Sequence, residues 1–331
     1  MSQETAGVGE IADELRAARS VEATLGAPLA RLTTLRIGGA AEVLVRARDE
    51  AGLSAALEIV RRHQLGFQLI GMGSNLLVPD SGLRGVTVCL TGDFRETRVE
   101  DGQVRAGAGV SLARLARTLA TQGLTGLEAF SGFPSTVGGA VVMNAGCYGV
   151  EIQDVLVSTT TVDRDGRSRK YSPSELEAGY RTTVLQGSGE VVTEAIFRVG
   201  AGDGKASLAR IDELNRRRWA SLPSGLPNAG SIFRNPEGDY AGRLIEAAGL
   251  KGACRGAAQI SEKHANVIVN RGGARADDVL GLMIDVRGEV LRTAGLGLEP
   301  EIVLSGSLRC EWSRRVAHNE RLATGPEGAN G

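Results

Sequence analysis

The chain has 331 residues, 42% of them hydrophobic and 23% charged, with a formal net charge of −1 at pH 7. That length supports two or three domains with proper cores, and the near-zero charge supplies no field that would draw the chain to nucleic acid or an anionic membrane surface. The cysteines (Cys89, Cys147, Cys254, Cys310) and histidines (His63, His264, His318) are scattered, so neither a disulfide framework nor a metal site is expected. No apolar stretch is long enough to span a bilayer and the acidic N-terminus lacks a signal-peptide core, which makes the cytoplasm the expected compartment, with no membrane insertion.

Residues 1–22 read as a polar, helix-prone extension. A loop broken at Gly38-Gly39 leads into a strand over 41–47. A helix over 50–64 presents Leu53, Leu57 and Val60 on one face, with Gly66 as its stop. Phe67, Leu69 and Ile70 form a short apolar run that ends at Gly71, and Leu76-Leu77-Val78 form another. Short strands follow over 83–90 and 96–108. A second helix spans 111–123, with Ser111 as N-cap and Gly123 as stop. Residues 126–149 are rich in glycine and read as largely irregular. Short strands recur over 151–200, and a boundary is expected near 200–205. Beyond it come a basic helix (206–220), a helix (240–248), a strand (265–270) and a helix (275–294) with Val279, Met283, Val286 and Val290 on one face. Residues from about 312 read as a loose polar tail. The expected fold class is α+β with short mixed strands.

Two glycine-rich stretches carry the chemical signal. "GMGSNLLV" (71–78) places Gly71 and Gly73 one residue apart between two apolar runs. Leu76 stands where a dinucleotide fingerprint needs its third glycine, and no Gly-Lys-Ser/Thr follows, so neither that fingerprint nor a Walker loop fits. A strand–turn–strand nest for a pyrophosphate, with Ser74 and Asn75 adding donors, competes with an ordinary tight turn. "GFPSTVGGAVVMNAGCYG" (132–149) is a long loop of the kind that is usually functional, and two such loops suggest an extended ligand lying against backbone.

With "PLARLTTLRIGG", "YRTTVLQ", "NAGSIFRNP", "AGLKG", "QISEKHANVIVN" and "LEPEI" added in order, the chain resembles the bacterial UDP-N-acetylenolpyruvoylglucosamine reductase (MurB) family from about Pro28 to Gly306. The resemblance implies an FAD-binding region of the vanillyl-alcohol-oxidase (PCMH) type over 23–203, in two subdomains of about 23–90 and 91–203. A smaller α+β substrate-binding domain over 204–311 and a polar tail over 312–331 would follow. No extra tyrosine-bearing insertion is seen in the C-terminal part, which matches the shorter subclass without a lid. Non-covalent FAD would be held by Gly71, Gly73, Ser74, Asn75 and Leu76 and by Pro134, Ser135, Gly138, Gly139 and Asn144, with "TTLRIGG" packed beside it.

The implied reaction reduces an enolpyruvyl ether to a lactyl ether, with NADPH as reductant and a UDP-sugar as the small-molecule substrate. The resemblance makes Arg181 the carboxylate-stabilising arginine, Ser231 the proton donor and Glu301 the third catalytic residue. Tyr180, Asn235, Lys251 and Lys263 would contact substrate, and Arg234 and Arg216–Arg218 are further candidates for its diphosphate. Taken singly, each has an ordinary reading: a surface ion pair for Arg181, a loop serine for Ser231, a solvated carboxylate for Glu301, a capping or packing histidine for His264. Three positions depart from the family pattern: Thr183 where Ser is usual, Asn228 where Ser precedes "AGS", and Val303 where an arginine follows Glu301. A flavin oxidase of the same fold and a UDP-sugar sensor are the alternatives. The first lacks an attachment histidine in the glycine loops, and the second would have no need of Arg181, Ser231 and Glu301.

Overall fold

The structure, a computed structural model, describes residues 7–324. Among them, one compact unit is drawn from residues 7–27, 41–72 and 84–220, and a second from residues 28–40, 73–83 and 221–324.

The first unit holds a four-stranded sheet in the order Val21–Pro28, Ala40–Ala47, Leu83–Leu90, Phe67–Leu69. Phe67–Leu69 runs parallel to Leu83–Leu90, with Phe67 opposite Val86. Helix Glu50–Arg62 forms because Leu53, Ala56, Leu57 and Val60 recur on one buried face. The Asp49 carboxylate caps it by accepting the Gly52 N–H at 2.7 Å. Its left-handed exit is Gln64 (φ 52°), not the expected Gly66. Gly66 serves the sheet instead: its carbonyl takes the Val86 N–H at 2.9 Å, and a Cβ on Gly85 would strike that carbonyl.

A five-stranded antiparallel sheet follows, in the order Ser168–Tyr171, Leu156–Val162, Val191–Arg198, Gln103–Gly107, Thr97–Glu100. Ser111 caps helix Leu112–Thr121 and Gly123 (φ 72°) follows its end, as the sequence predicts. The glycine-rich segment is more regular than its composition suggests, with a 3₁₀ turn at Glu128–Gly132 and a helix at Val137–Val142. Two glycines in six residues oppose a helix on propensity alone. Tertiary bonds fix it: Val137 N–H and Gly138 N–H donate to the carbonyls of Val110 and Ala108, both at 2.9 Å, and the Thr136 hydroxyl takes the Gly139 N–H at 3.2 Å. Helix Gly204–Ser221, which follows the expected boundary near 200–205, groups with this first unit through Ala220. Ser207 Oγ donates to Glu128 at 2.6 Å and the Tyr148 hydroxyl donates to the Leu214 carbonyl at 2.6 Å. The N-terminal helix Val8–Ala17 buries Ile11, Ala12 and Leu15 in the same core.

The second unit is built on an antiparallel sheet in the order Asn228–Ser231, Val267–Asn270, Ala258–Ile260, Cys254–Arg255. Helices Ala241–Ala247, Ala276–Ala294 and Leu308–Thr324 belong to it. Leu35, Ile37 and Leu77, from far earlier in the chain, lie in its core with Phe233, Met283 and Trp312. Leu76–Leu77 forms a parallel ladder with Val303–Leu304, and the Asn270 amide donates to the Leu35 carbonyl at 3.0 Å. The expected loose tail from 312 is a helix instead. Leu308 and Trp312 are buried in this core with Val316 against it, a spacing of four that lines one helical face. Residues 1–6 of the expected extension and 325–331 of the expected tail lie outside the described residues. Among the described residues, no helix is long and apolar enough to cross a membrane.

Candidate active site

In the first unit, Tyr180 and Arg181 form the tip of a turn closed by Gly179 and Thr182, whose N–H groups bond each other's carbonyls at 3.0 and 3.2 Å. Arg181 has φ 57°, a conformation that favours glycine at this place in a turn. Its Nη2 donates to the Gly146 carbonyl at 3.1 Å, and its guanidinium lies 5.1 Å from the Tyr180 ring centroid. The turn is braced from behind. Gln186 Nε2 donates to the Arg181 carbonyl at 2.8 Å and the Thr183 hydroxyl to the Val142 carbonyl at 2.7 Å, so the departure to Thr183 keeps a hydroxyl whose partner is backbone.

Asn144 is 1% exposed and φ 39°. Its Nδ2 donates to Glu151 at 2.7 Å and to the Gly179 carbonyl at 3.1 Å, and its Oδ1 accepts the Gln153 N–H at 3.1 Å. Its side chain thus ties the glycine loop to the turn that carries Arg181. A Cβ on Gly146 would sit 2.8 Å from Glu151 Cγ and 3.2 Å from Arg181 Nη1, so any side chain there would push on both.

The basic run 216–218 divides. Arg216 and Arg217 both pair with Glu213. Arg218 turns away, with its guanidinium 6.0 Å from the Phe133 ring centroid and Nη1 3.9 Å from the Cys147 sulfur. Burial pushes the Cys147 thiol up, against the opposing pull of Arg218 and Arg181. The sequence marks the run as basic but cannot say which of its members faces the loop.

The first-unit residues expected at FAD converge. A Cβ on Gly71 would come 2.5 Å from the Thr136 hydroxyl, and one on Gly138 2.9 Å from Ala108 Cβ. Ser135 accepts the Leu112 N–H through its carbonyl at 3.0 Å, and its hydroxyl donates to the Thr136 carbonyl at 2.9 Å. Pro134 and Gly139 are exposed beside them. In the second unit, Gly73 (φ 58°) packs so closely on Leu32 that a Cβ would strike its carbonyl. The Thr34 N–H bonds the Gly73 carbonyl at 3.1 Å, which sets "TTLRIGG" beside Gly73. Ser74 and Asn75 are half-buried and Leu76 is buried. Within each unit taken by itself, tightly packed glycines such as Gly138 and Gly73 leave backbone open to close approach, which fits a phosphate-bearing cofactor such as FAD.

Also in the second unit, Ser231 ends strand Asn228–Ser231 after an irregularity of register. Gly230 has φ 72°, and the Asn228 carboxamide accepts its N–H at 3.1 Å, a local turn that the departure to Asn228 supplies. Glu301 is half-buried. Its N–H donates to the Ile232 carbonyl at 2.8 Å, and its carbonyl receives Asn75 Nδ2 at 3.1 Å. Ser231 and Glu301 are therefore brought together through main chain. Asn235 is exposed, and its side-chain oxygen takes the Ala241 N–H at 3.1 Å. Lys251 pairs with Glu246 at 2.7 Å, Lys263 is exposed, and the Arg234 N–H donates to the Glu299 carbonyl at 2.9 Å. His264 accepts the Asn266 N–H at Nδ1, 3.2 Å. Asn266, which the sequence reading did not select, bonds both polar groups of the Phe233 backbone. Its only sequence signal is a polar residue inside the apolar run "ANVIVN".

Two family models match the chain: one described as an FAD binding domain over residues 41–172, and one described as the UDP-N-acetylenolpyruvoylglucosamine reductase C-terminal domain over 222–305. The curated UDP-N-acetylenolpyruvoylglucosamine reductase 2 of Symbiobacterium thermophilum is 47% identical, over 84% of this chain and 91% of its own length. The reductase of Alkalilimnicola ehrlichii is 46% identical over 84% of this chain and 93% of its own. The crystal structure of UDP-N-acetylenolpyruvylglucosamine reductase (MurB) from Thermus caldophilus is similar at a TM-score of 0.74 and 37% identity, covering 86% of this chain and 99% of that one.

Proposed function

This chain belongs to the UDP-N-acetylenolpyruvoylglucosamine reductase family, and from that premise we propose how its own residues carry the reaction. It is an FAD-binding oxidoreductase of cell-wall precursor synthesis that reduces the enolpyruvyl ether of a UDP-sugar, UDP-N-acetylglucosamine enolpyruvate, to UDP-N-acetylmuramate. NADPH is the reductant and the cytoplasm, where nucleotide sugars are made, is the compartment.

FAD, once bound and reduced by NADPH, would supply the hydride to the vinyl carbon. Negative charge then develops toward the substrate carboxylate, and Arg181 meets it with a planar, permanently charged fork. Ser231 gives the proton to the carbon that bears the ether oxygen and the carboxylate. A serine hydroxyl is a weak acid, so this transfer needs a cationic or hydrogen-bonded neighbourhood. Glu301 orients the donor or the substrate carboxylate as charge develops. Tyr180, Asn235, Lys251 and Lys263 serve the remainder of the substrate, and Gly71, Gly73, Ser74, Asn75, Leu76, Pro134, Ser135, Gly138, Gly139 and Asn144 serve FAD. The reading is of a non-covalent flavin: the glycine loops hold no histidine, and burial pushes the Cys147 thiol up, which disfavours the thiolate that attachment would need. Acid precipitation that left flavin colour in the pellet would overturn that point.

The observation that supports the catalytic assignment most directly is Arg181 held at φ 57° on a turn tip. Other non-glycine residues, such as Gln64 at a helix exit, share such a φ; what favours function at Arg181 is a left-handed residue that the bonds from Gln186 and from Asn144 to Gly179 hold in place. Anaerobic stopped-flow separates the two half-reactions, bleaching of the flavin by NADPH and return of colour with substrate. Ser231→Ala is expected to slow the second by about 10²–10⁴-fold and leave the first near wild type. Equal slowing of both, or of neither, would remove the proton from Ser231.

A further inference from the structure

Asn266 is 3% exposed, and both ends of its carboxamide hold one residue. Oδ1 accepts the Phe233 N–H at 2.9 Å and Nδ2 donates to the Phe233 carbonyl at 2.8 Å. Its own carbonyl takes the Ile232 N–H at 2.9 Å, and its N–H is fixed by His264 Nδ1 at 3.2 Å. Phe233 lies just past the end of strand Asn228–Ser231. A side-chain amide here reproduces the two-point contact that a neighbouring strand would have made.

The position of this clamp gives it a consequence for chemistry. Ile232 stands between Asn266 and Glu301: its N–H goes to the Asn266 carbonyl, and its C=O receives the Glu301 N–H at 2.8 Å. Ser231 is the residue before it. A rotation of the 232–233 peptides would therefore displace Ser231 and Glu301 together. We propose that Asn266 is a positioning residue for this pair, setting the register of Ser231 against Glu301 through the backbone of Ile232 and Phe233. The inference rests on the reading above, in which Ser231 and Glu301 act on the substrate. It assigns Asn266 no contact with substrate or flavin.

Asn266→Asp preserves shape and keeps an acceptor for the Phe233 N–H. When ionised it has no donor for the Phe233 carbonyl and sets two oxygens against each other; when protonated it recovers the donor. At pH 8 the reoxidation of reduced flavin by substrate is expected to slow by about tenfold or more. Flavin reduction by NADPH and substrate affinity, read from the flavin absorbance shift, should stay within about twofold, as expected for a residue outside both steps. The ratio of variant to wild-type reoxidation rate should rise as pH falls. Glu262, Lys263 and His264 on the segment of Asn266, and Arg234, Glu299 and Glu301 on the segments packed against it, are common to both proteins; the uncharged Asn266→Ser variant reads the pH dependence that they supply, and only the excess in Asn266→Asp counts. Asn266→Ser, which leaves room for water at the Phe233 peptide, covers the case of an aspartate variant that does not fold.

A merely structural Asn266 would slow both half-reactions and weaken substrate binding together, and that result would overturn the proposal. Ser231→Ala run in parallel separates the two levels. A slow Ser231→Ala beside wild-type reoxidation in both Asn266 variants would overturn the role of Asn266 alone. A wild-type Ser231→Ala would overturn the catalytic reading and the role of Asn266 with it.

Discussion

The backbone of Glu301 is bonded at both ends, its N–H to the Ile232 carbonyl at 2.8 Å and its carbonyl to the Asn75 amide at 3.1 Å. Ile232 follows Ser231, and Asn75 leads into the Leu76–Leu77 ladder with Val303–Leu304. One short stretch of main chain thus joins the expected proton donor, the expected third catalytic residue and a motif expected at FAD. It does so within the second unit, from segments more than two hundred residues apart in sequence.

Arg181 separates stability from activity. Arg181→Gly relieves a left-handed residue, about 1–2 kcal/mol, and loses the bond to the Gly146 carbonyl, about 1 kcal/mol. Its melting temperature should equal or slightly exceed that of wild type. Arg181→Lys keeps the backbone cost, loses the planar fork and should melt lower. Both should lose most of the second half-reaction. Calorimetry beside stopped-flow tests this, and an active lysine variant would show that a point charge suffices.

The legible parts of this chain were those with local causes. Ser111 and Gly123 mark the two ends of a helix because caps and left-handed exits act over three or four residues. The first glycine motif declared itself because positions such as Gly73, with φ 58° and the Leu32 carbonyl where a Cβ would lie, admit no side chain. The pairing of Leu76 with Val303 left no such mark, since a two-residue ladder has no periodicity to read. Nor did the membership of residues 28–40 and 73–83 in the second unit. The C-terminal helix was missed for another reason. Its buried side is narrow, Leu308, Trp312 and Val316, and the polar residues between them dominate the composition.

Trp312 should therefore matter more than its place beyond residues 222–305, the matched C-terminal domain, suggests. It is 8% exposed, with its ring centroid 6.4 Å from that of Phe233. Trp312→Ala is expected to cost about 3–5 kcal/mol in urea unfolding monitored by circular dichroism. A cost under about 1 kcal/mol would place the helix among surface elements.

The N-terminal helix carries an acid-sensitive contact. Glu14 accepts from His63 Nε2 at 2.7 Å and pairs with Arg62. The hydrogen bond from His63, with Arg62 assisting, holds its carboxyl below the ordinary value of 4.5. A depressed carboxyl stabilises the folded form above that ordinary value and loses its contribution as pH falls through the lower, folded one. Hydrogen exchange over residues 8–17 should quicken as pH drops below about 4.5, after correction for the intrinsic rate. In Glu14→Gln, exchange there should be faster at neutral pH and lose that pH dependence. Identical protection in both proteins throughout would assign the docking to Ile11, Ala12 and Leu15 alone.

Glu301 has two candidate roles, and two substitutions distinguish them. It can donate or accept a hydrogen bond that holds the substrate carboxylate or a water in place, or it can exchange a proton with Ser231 during turnover. Glu301→Gln keeps length and hydrogen-bonding capacity but cannot ionise. Glu301→Asp keeps the acid and withdraws it by one methylene. The fixed backbone sharpens this comparison, because bonds to Ile232 and Asn75 hold the Cα in either variant, and a shorter side chain is not compensated by a shift of the strand. If the role is orientation, Glu301→Gln should keep much more of the second half-reaction than Glu301→Asp. If the role is proton exchange, Glu301→Gln should be the slower, by the roughly 10²–10⁴-fold that a general acid or base supplies, and its rate should lose the pH dependence that Glu301→Asp retains. The measurement is reoxidation of reduced flavin by substrate in each variant across pH. Wild-type rates in both at every pH would return Glu301 to an ordinary solvated carboxylate beside Pro300.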